Sequence, residues 1–157
     1  MLGWPNAAAL EHALTTTFSN IADTRMRGIP IVHPDLQVEA VGFRAAAGGW
    51  LGVLITPWCM NLMLFPDASG TLPPVEPSRE VCVTLPSGDL PFMAGEEAGL
   101  GRYLMCSLFS PMEAFSDQAS AHATACAVLD ALFPPPEPAP VAAEVDLSRR
   151  RLFGLRA

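Results

Sequence analysis

Gly49-Trp50-Leu51-Gly52-Val53-Leu54-Ile55-Thr56-Pro57-Trp58-Cys59-Met60-Asn61-Leu62-Met63-Leu64-Phe65-Pro66 carries no charge and is broken near its middle by a proline. The charge-free run begins at Ala45, so its length would suit a bilayer-spanning helix, which needs about 20 apolar residues. Its composition does not suit one. Pro57 and Asn61 sit centrally, and Gly48, Gly49 and Gly52 cluster at the start, where a helix facing lipid would lose backbone hydrogen bonds. A pair of buried strands, 50–56 and 60–65, accounts for the stretch better. Residues 50–55 are apolar on both alternating faces, the pattern of a central strand covered on each side. No membrane insertion is expected.

Working outward, the spacing predicts further strands at 38–43, 81–85, 90–94 and 103–108. Pro86-Ser87-Gly88-Asp89 is turn chemistry joining two of them into a hairpin. Upstream, Leu10, Leu14, Phe18 and Ile21 recur at helical spacing and predict a helix over 5–27, with Pro5 in its first turn, Gly28 after its last and Pro30 preventing continuation. Downstream, Phe115, Ala119, His122, Cys126, Leu129 and Phe133 form a three-four seam that predicts a second helix. It starts either at Ser110, which with Glu113 fits a capping box, or at Ser116-Asp117. The fold class is therefore α+β, a mainly antiparallel sheet flanked by an N-terminal and a C-terminal helix. Residues 1–133 form one globular domain. Residues 134–157 form a proline-rich spacer and an extended basic tail. The five prolines of 134–140 imply a stiff stretch of about 20 Å at ~3.1 Å per residue.

Charge divides the chain in the same way. Residues 144–157 hold four arginines and two acids, whereas 1–143 hold 5 arginines against 14 acids. An acidic body argues against nucleic acid and anionic membranes as partners and favours cationic ones. The four cysteines, Cys59, Cys82, Cys106 and Cys126, contain no C-x-x-C pair, and Met1-Leu2-Gly3-Trp4-Pro5 lacks the start of a secretory signal. Both point to reduced thiols in a cytoplasmic protein.

Catalytic constellations are hard to find. His122 and Cys126, four apart on the second helix, could bind a metal or pair as base and nucleophile. Both fall on the apolar seam, where packing in the core is the expected role. There is no glycine-rich phosphate loop and no G-x-S-x-G elbow. No catalytic residue, metal ligand or cofactor is expected, and the chain is read as a protein that binds other proteins. The turn Thr56-Pro57-Trp58-Cys59-Met60 can hold a rigid aromatic at the surface, with Met60 and Met63 adding adaptable apolar area. The tail Ser148-Arg149-Arg150-Arg151-Leu152-Phe153 has the form of a docking peptide.

These stretches carry a resemblance. Residues 49–58, Leu85-Pro86-Ser87-Gly88, Gly95-Glu96, Tyr103-Leu104-Met105-Cys106-Ser107-Leu108-Phe109-Ser110-Pro111 and Arg149-Arg150-Arg151-Leu152-Phe153-Gly154 are similar, in order, to the [NiFe]-hydrogenase assembly chaperones of the HybE/HupJ/HoxT type. The resemblance implies a cytoplasmic chaperone that binds immature large and/or small hydrogenase subunit precursors, with other hydrogenase accessory proteins as further partners. It would coordinate cofactor assembly before twin-arginine export. The chain lacks the C-x-x-C pairs of the rubredoxin module fused to some relatives, and with them its iron. The expected partner contacts are Trp50, Thr56, Pro57, Trp58, Met60, Glu96, Tyr103, Arg149, Arg150, Arg151 and Phe153. The tail also imitates the S-R-R-x-F-L-K pattern of an exported subunit's leader. It could therefore dock on the client, or occupy an acidic groove on its own body with Glu96 and Glu97 as acceptors on a loop beside a strand edge. The alternative function is a thiol- or metal-dependent protein that protects or delivers iron or sulfur during cluster assembly, working through Cys59, Cys106 and Cys126.

Overall fold

The computed structural model describes residues 3–70, 72, 76 and 79–134. The first helix, α1 (Ala7–Asp23), begins where the extended Asn6 accepts a hydrogen bond from the Ala9 amide at 2.8 Å, satisfying a donor that a first turn leaves free. Pro5 thus precedes the cap and is not part of the first turn. The helix also stops short of residue 27. Thr24 leaves the helical conformation, and its amide bonds Ile21 in place of the carbonyl four residues back. Leu10, Leu14 and Ile21 are buried as the spacing requires, while Phe18 is only half-buried.

Six strands follow: β1 (Glu39–Ala46), β2 (Gly49–Ile55), β3 (Met60–Pro66), β4 (Glu80–Leu85), β5 (Gly88–Glu97) and β6 (Gly101–Phe109). They make one antiparallel sheet in the order β1-β2-β3-β6-β5-β4. It consists of two meanders, β1-β2-β3 and β4-β5-β6, joined where β3 pairs with β6. All six predicted strands exist; β2 is shifted by one residue toward its N-terminal turn, β1 starts one residue later but runs three further, and the other four extend at one or both ends, because hairpin pairing continues to the turns. Ala47 and Gly48 turn β1 into β2 with φ of 52° and 80°, the left-handed pair that suits a two-residue hairpin. Pro86 and Ser87 alone separate the paired Leu85 and Gly88.

The second helix, α2 (Gln118–Leu132), takes the later of the two possible starts. Asp117 accepts from the Ser120 amide at 2.8 Å, and the Ser120 hydroxyl oxygen accepts from the Asp117 amide, closing a reciprocal cap. Its buried face is Ala121, Ala125 and Leu129, about one position round from the predicted seam. Ala119 and His122 consequently face water.

Each helix covers one face of the sheet. On the α2 side Val41, Leu51, Val53, Ile55, Met60, Leu62, Leu64, Phe92 and Leu104 join Ala121, Ala125 and Leu129 in one cluster. On the α1 side Leu10 and Leu14 pack with Phe43, Leu54, Met63, Phe65, Leu100 and Tyr103. The charge-free run is therefore a β2–β3 hairpin buried on both faces, and no described helix is long and apolar enough to cross a membrane. Gly42 lies at a bulge in β1 with φ 66°; a Cβ there would sit 2.5 Å from Leu129 Cδ1, so glycine lets α2 close on β1. Residues 135–157, with most of the spacer and all of the arginine tail, lie outside the described residues.

Gly52 reports on this packing. A Cβ there would meet the Phe43 ring at 2.5 Å and the Phe43 Cα at 2.8 Å, and the backbone is held by strands on both sides. Gly52→Ala should cost about 1–3 kcal/mol through overpacking, seen as a lowered urea midpoint with an unchanged slope. Unchanged stability would mean that Phe43 does not lie across β2.

Candidate functional site

Three connecting segments meet at the end of the sheet where β2 turns into β3. The first is the stretch after α1, the second the 56–59 turn, and the third the segment between β6 and α2. His33 ties them together. Its amide donates to the Pro57 carbonyl at 2.8 Å, and its Nε2 lies 2.7 Å from the Phe115 carbonyl. The Asp35 amide donates to Nδ1 at 3.1 Å. These partners assign the tautomer: Nδ1 accepts, so Nε2 carries the proton given to Phe115. Phe115 meets Phe109 edge-on, with ring centres 5.0 Å apart.

The turn is built on Thr56, which is fully buried. Its amide donates to the Cys59 carbonyl at 2.8 Å, and its Oγ1 accepts from the Cys59 amide at 3.0 Å and the Trp58 amide at 3.3 Å. Pro57 presets the first corner of the turn. The result holds Trp58 half-buried and Cys59 half-buried beside Asn61, whose Nδ2 reaches Sγ at 3.5 Å. Burial pushes the Cys59 thiol up from its ordinary value, against the opposing hydrogen bonds from Thr56 and Asn61. Burial does the same to Cys106.

Beside this junction lies a pocket of about 330 Å³ lined by Pro30, Ile31, Val32, His33, Pro34, Pro111 and Glu113. Ile29 and Ile31 remain 40% and 50% exposed at its side of the molecule. Three prolines stiffen the walls, so little chain entropy is lost when an apolar side chain enters. The walls offer shape and apolar area, with one carboxylate at Glu113 and an imidazole already engaged by backbone. Sequence reasoning did not read Ile31, His33, Pro111 or Glu113 as partner contacts; it placed Pro111 in a family-like stretch and Glu113 in a capping box. The signal was Ile29-Pro30-Ile31-Val32-His33-Pro34, an apolar run whose prolines prevent it from pairing inside a sheet.

The expected contact residues fall into separate groups. Thr56, Pro57 and Trp58 are at this end of the sheet, with only Trp58 partly exposed. Met60 is fully buried in the α2-side core and supports the turn from below; its side chain is not presented to a partner. Met63 is likewise buried on the α1 side. Trp50 and Tyr103 lie toward the opposite end. The Trp50 Nε1–H donates to the Trp4 carbonyl at 2.9 Å and ties the N-terminal segment to the sheet. Tyr103 is 7% exposed and its ring lies over Gly95; burial, then the Glu97 charge, pushes its phenol up.

Glu96 and Glu97 are not on a loop. They belong to β5, paired with Arg102 and Gly101, because Gly95 accommodates the Tyr103 ring and lets the hairpin continue. Glu97 is engaged by Arg25 at 2.7 Å, whereas Glu96 is exposed. Arg149, Arg150, Arg151 and Phe153 lie outside the described residues. Of the His122 and Cys126 pair, Cys126 is partly buried against the α2-side core, but His122 departs from the expected core packing: its side chain is 49% exposed and its Nδ1 is 2.7 Å from Glu39 Oε2. All four cysteines are free. Among the described residues no group of three or more His, Cys, Asp or Glu side chains stands close enough to hold a metal ion.

A family model described as "[NiFe]-hydrogenase assembly, chaperone, HybE" matches residues 9–155. The hydrogenase expression/formation protein HupT of Azotobacter chroococcum mcd 1 is 48% identical over 134 residues, covering 83% of this chain and 85% of the relative. The hydrogenase expression/formation protein HoxT of Azotobacter vinelandii is 45% identical over 135 residues, covering 85% and 87%. The solution structure of HybE from Escherichia coli superposes with a TM-score of 0.69 at 26% identity, covering 100% of this chain and 95% of that one.

Thr56 tests the architecture of the turn. Thr56→Val removes the acceptor of two amides and should cost about 1–3 kcal/mol, with a change in Trp58 fluorescence on top of the loss of stability. A variant with unaltered emission and melting would show that the hydroxyl does not hold the turn.

Proposed function

The chain belongs to the HybE family of [NiFe]-hydrogenase assembly chaperones, and on that premise we propose that it works by contact alone, in the cytoplasm. It holds immature large and/or small subunit precursors while their cofactors are assembled, before twin-arginine export. The docking face is the junction of residues 29–34, the 56–59 turn and 110–115. One observation carries this reading. A rigid apolar pocket has two exposed isoleucines at its side, and its polar lining is one carboxylate, Glu113, and the His33 imidazole already held by backbone. Contiguous apolar area of this kind on a soluble domain marks a surface that another protein covers.

Trp58 is a rigid aromatic contact at the rim of this face, and Glu96 a second, electrostatic contact at the far end of the sheet. The acidic body draws in clients that carry arginine near their termini, raising the rate of encounter. The arginine tail, through Arg149, Arg150, Arg151 and Phe153, adds a contact to the client itself. Shielding follows from this arrangement: the chaperone covers a surface that assembly will bury and leaves when the assembled partner competes for it.

Ile31 is exposed enough to change without disturbing the core. Ile31→Asp should lower capture of the subunit precursor by roughly tenfold or more, on the scale of an interface hot spot, with an unchanged melting temperature. Pull-down from cells making hydrogenase precursors, with mass spectrometry of the captured client, measures this. Equal capture by the variant would remove the pocket from the docking face. Deleting residues 147–157 should weaken capture as well; tighter binding would mean that the tail competes with a client's leader on its own body.

A further inference from the structure

On the α2 side, next to the β1–β2 strand end that leads into the 56–59 turn, three side chains form a relay that hydrogenase assembly does not explain. Glu39, the first residue of β1, is held from two sides. Gln118 Nε2 donates to its Oε1 at 2.8 Å, and His122 Nδ1 lies 2.7 Å from its Oε2. Gln118 is itself fixed by the backbone of Gln37, whose amide reaches Gln118 Oε1 at 2.8 Å. A carboxylate accepts, so in the neutral imidazole Nδ1 of His122 carries the proton and Nε2 keeps its lone pair. That nitrogen lies 3.5 Å from Cys126 Sγ, one helical turn further along α2. Thiol, imidazole and carboxylate thus stand in the order of nucleophile, base and orienting group.

We propose that Cys126 is a histidine-activated surface thiol and this protein's preferred site of reaction with soft electrophiles, hydroperoxides above all. The arrangement fits a small, freely diffusing reactant. The His122 side chain is 49% exposed and Cys126 is half-buried, so a peroxide can reach the sulfur. In the reaction His122 Nε2 takes the thiol proton and the thiolate attacks one peroxide oxygen. The O–O bond breaks, and the departing hydroxide takes the proton back from the imidazolium as water. Sulfur is oxidised by two electrons to a sulfenic acid, and the peroxide is reduced by two. The other thiols lack this arrangement. Burial pushes Cys59 and Cys106 up and keeps them as thiols, and Cys82 is exposed on β4 with no imidazole or carboxylate hydrogen-bonded to it among the described residues.

The test is site-resolved labelling of the folded, full-length chain. With limiting iodoacetamide at neutral pH, peptide mapping should show the half-buried Cys126 alkylated at least roughly tenfold faster than the more exposed reference Cys82, the low end of what a positioned base supplies. Brief hydrogen peroxide followed by dimedone should place the sulfenic acid adduct on Cys126. His122→Gln should bring the Cys126 rate down to within about twofold of Cys82 without altering the Cys82 rate, and Glu39→Gln should give an intermediate loss. Because the Cys82 rate and the melting curve report on folding, a merely destabilised variant is recognised by a rise at every cysteine. Equal labelling of Cys126 and Cys82 in the unmodified protein, or a Cys126 advantage that survives His122→Gln, would overturn the proposal.

Discussion

Two neighbouring strands that are apolar on both faces cannot leave either face in water. β2 and β3 carry Leu51, Val53, Ile55, Met60, Leu62 and Leu64 toward one side and Leu54, Met63 and Phe65 toward the other, all with at most 1% of their surface exposed. Burying each such side chain is worth about 1.5–3 kcal/mol, so exposing one face of the pair would cost an amount comparable to a domain's whole margin of stability. The rest of the chain answers to that demand. One helix must lie on each face, and the second meander must extend the sheet beyond β3. α1 supplies Leu10 and Leu14 to one side, and α2 supplies Ala121, Ala125 and Leu129 to the other. The small residues of α2 let it sit close on β1 and β2, as does Gly42 beneath Leu129.

Covering both faces of the centre determines where the chemistry can be. Side chains inside the sheet are committed to packing, which is why Met60 and Tyr103 serve as supports. Function is left to the connections at the ends of strands and to the outer edge of α2. At one strand end the connections gather around His33, whose ring is engaged by backbone on both nitrogens and therefore acts as a bracket. Prolines on either side of it hold an apolar surface open that a flexible loop would fold away. A pre-formed apolar face of this kind gains affinity by having little left to order on binding, which suits the proposed holding of a client.

The same division separates two properties of the molecule. The proposed docking face is made of rigid backbone and apolar area and is indifferent to proton transfer. The relay of Glu39, His122 and Cys126 is made of orientation: a carboxylate pinned by Gln118, an imidazole pinned by the carboxylate, and a thiol one turn along. Nothing in the packing of α2 requires histidine at an exposed position, and the ladder of hydrogen bonds from Gln37 to Cys126 joins β1 to α2 through polar contacts alone.

Periodicity made the helices and strands legible. Alternation and three-four spacing are local properties, and the burial of 50–55 on both faces follows from composition alone. The tight turns were legible where proline and glycine force them, as at Pro57 and Pro86-Ser87. Family likeness too was carried by contiguous residues. Rotation of a helix about its axis was not legible, because Ala121 and Ala125 are small enough to be mistaken for neutral positions; only the approach of α2 to β1 placed them inward and turned His122 out toward Glu39. The pocket at Ile31 and Pro111 joins residues 80 positions apart, and Glu39 meets His122 across 83. Such meetings depend on which strand ends the sheet order brings together, and a linear pattern holds no record of that order. The chain's own periodicity determined what must be buried, and the pairing of β3 with β6 decided what could meet at the surface.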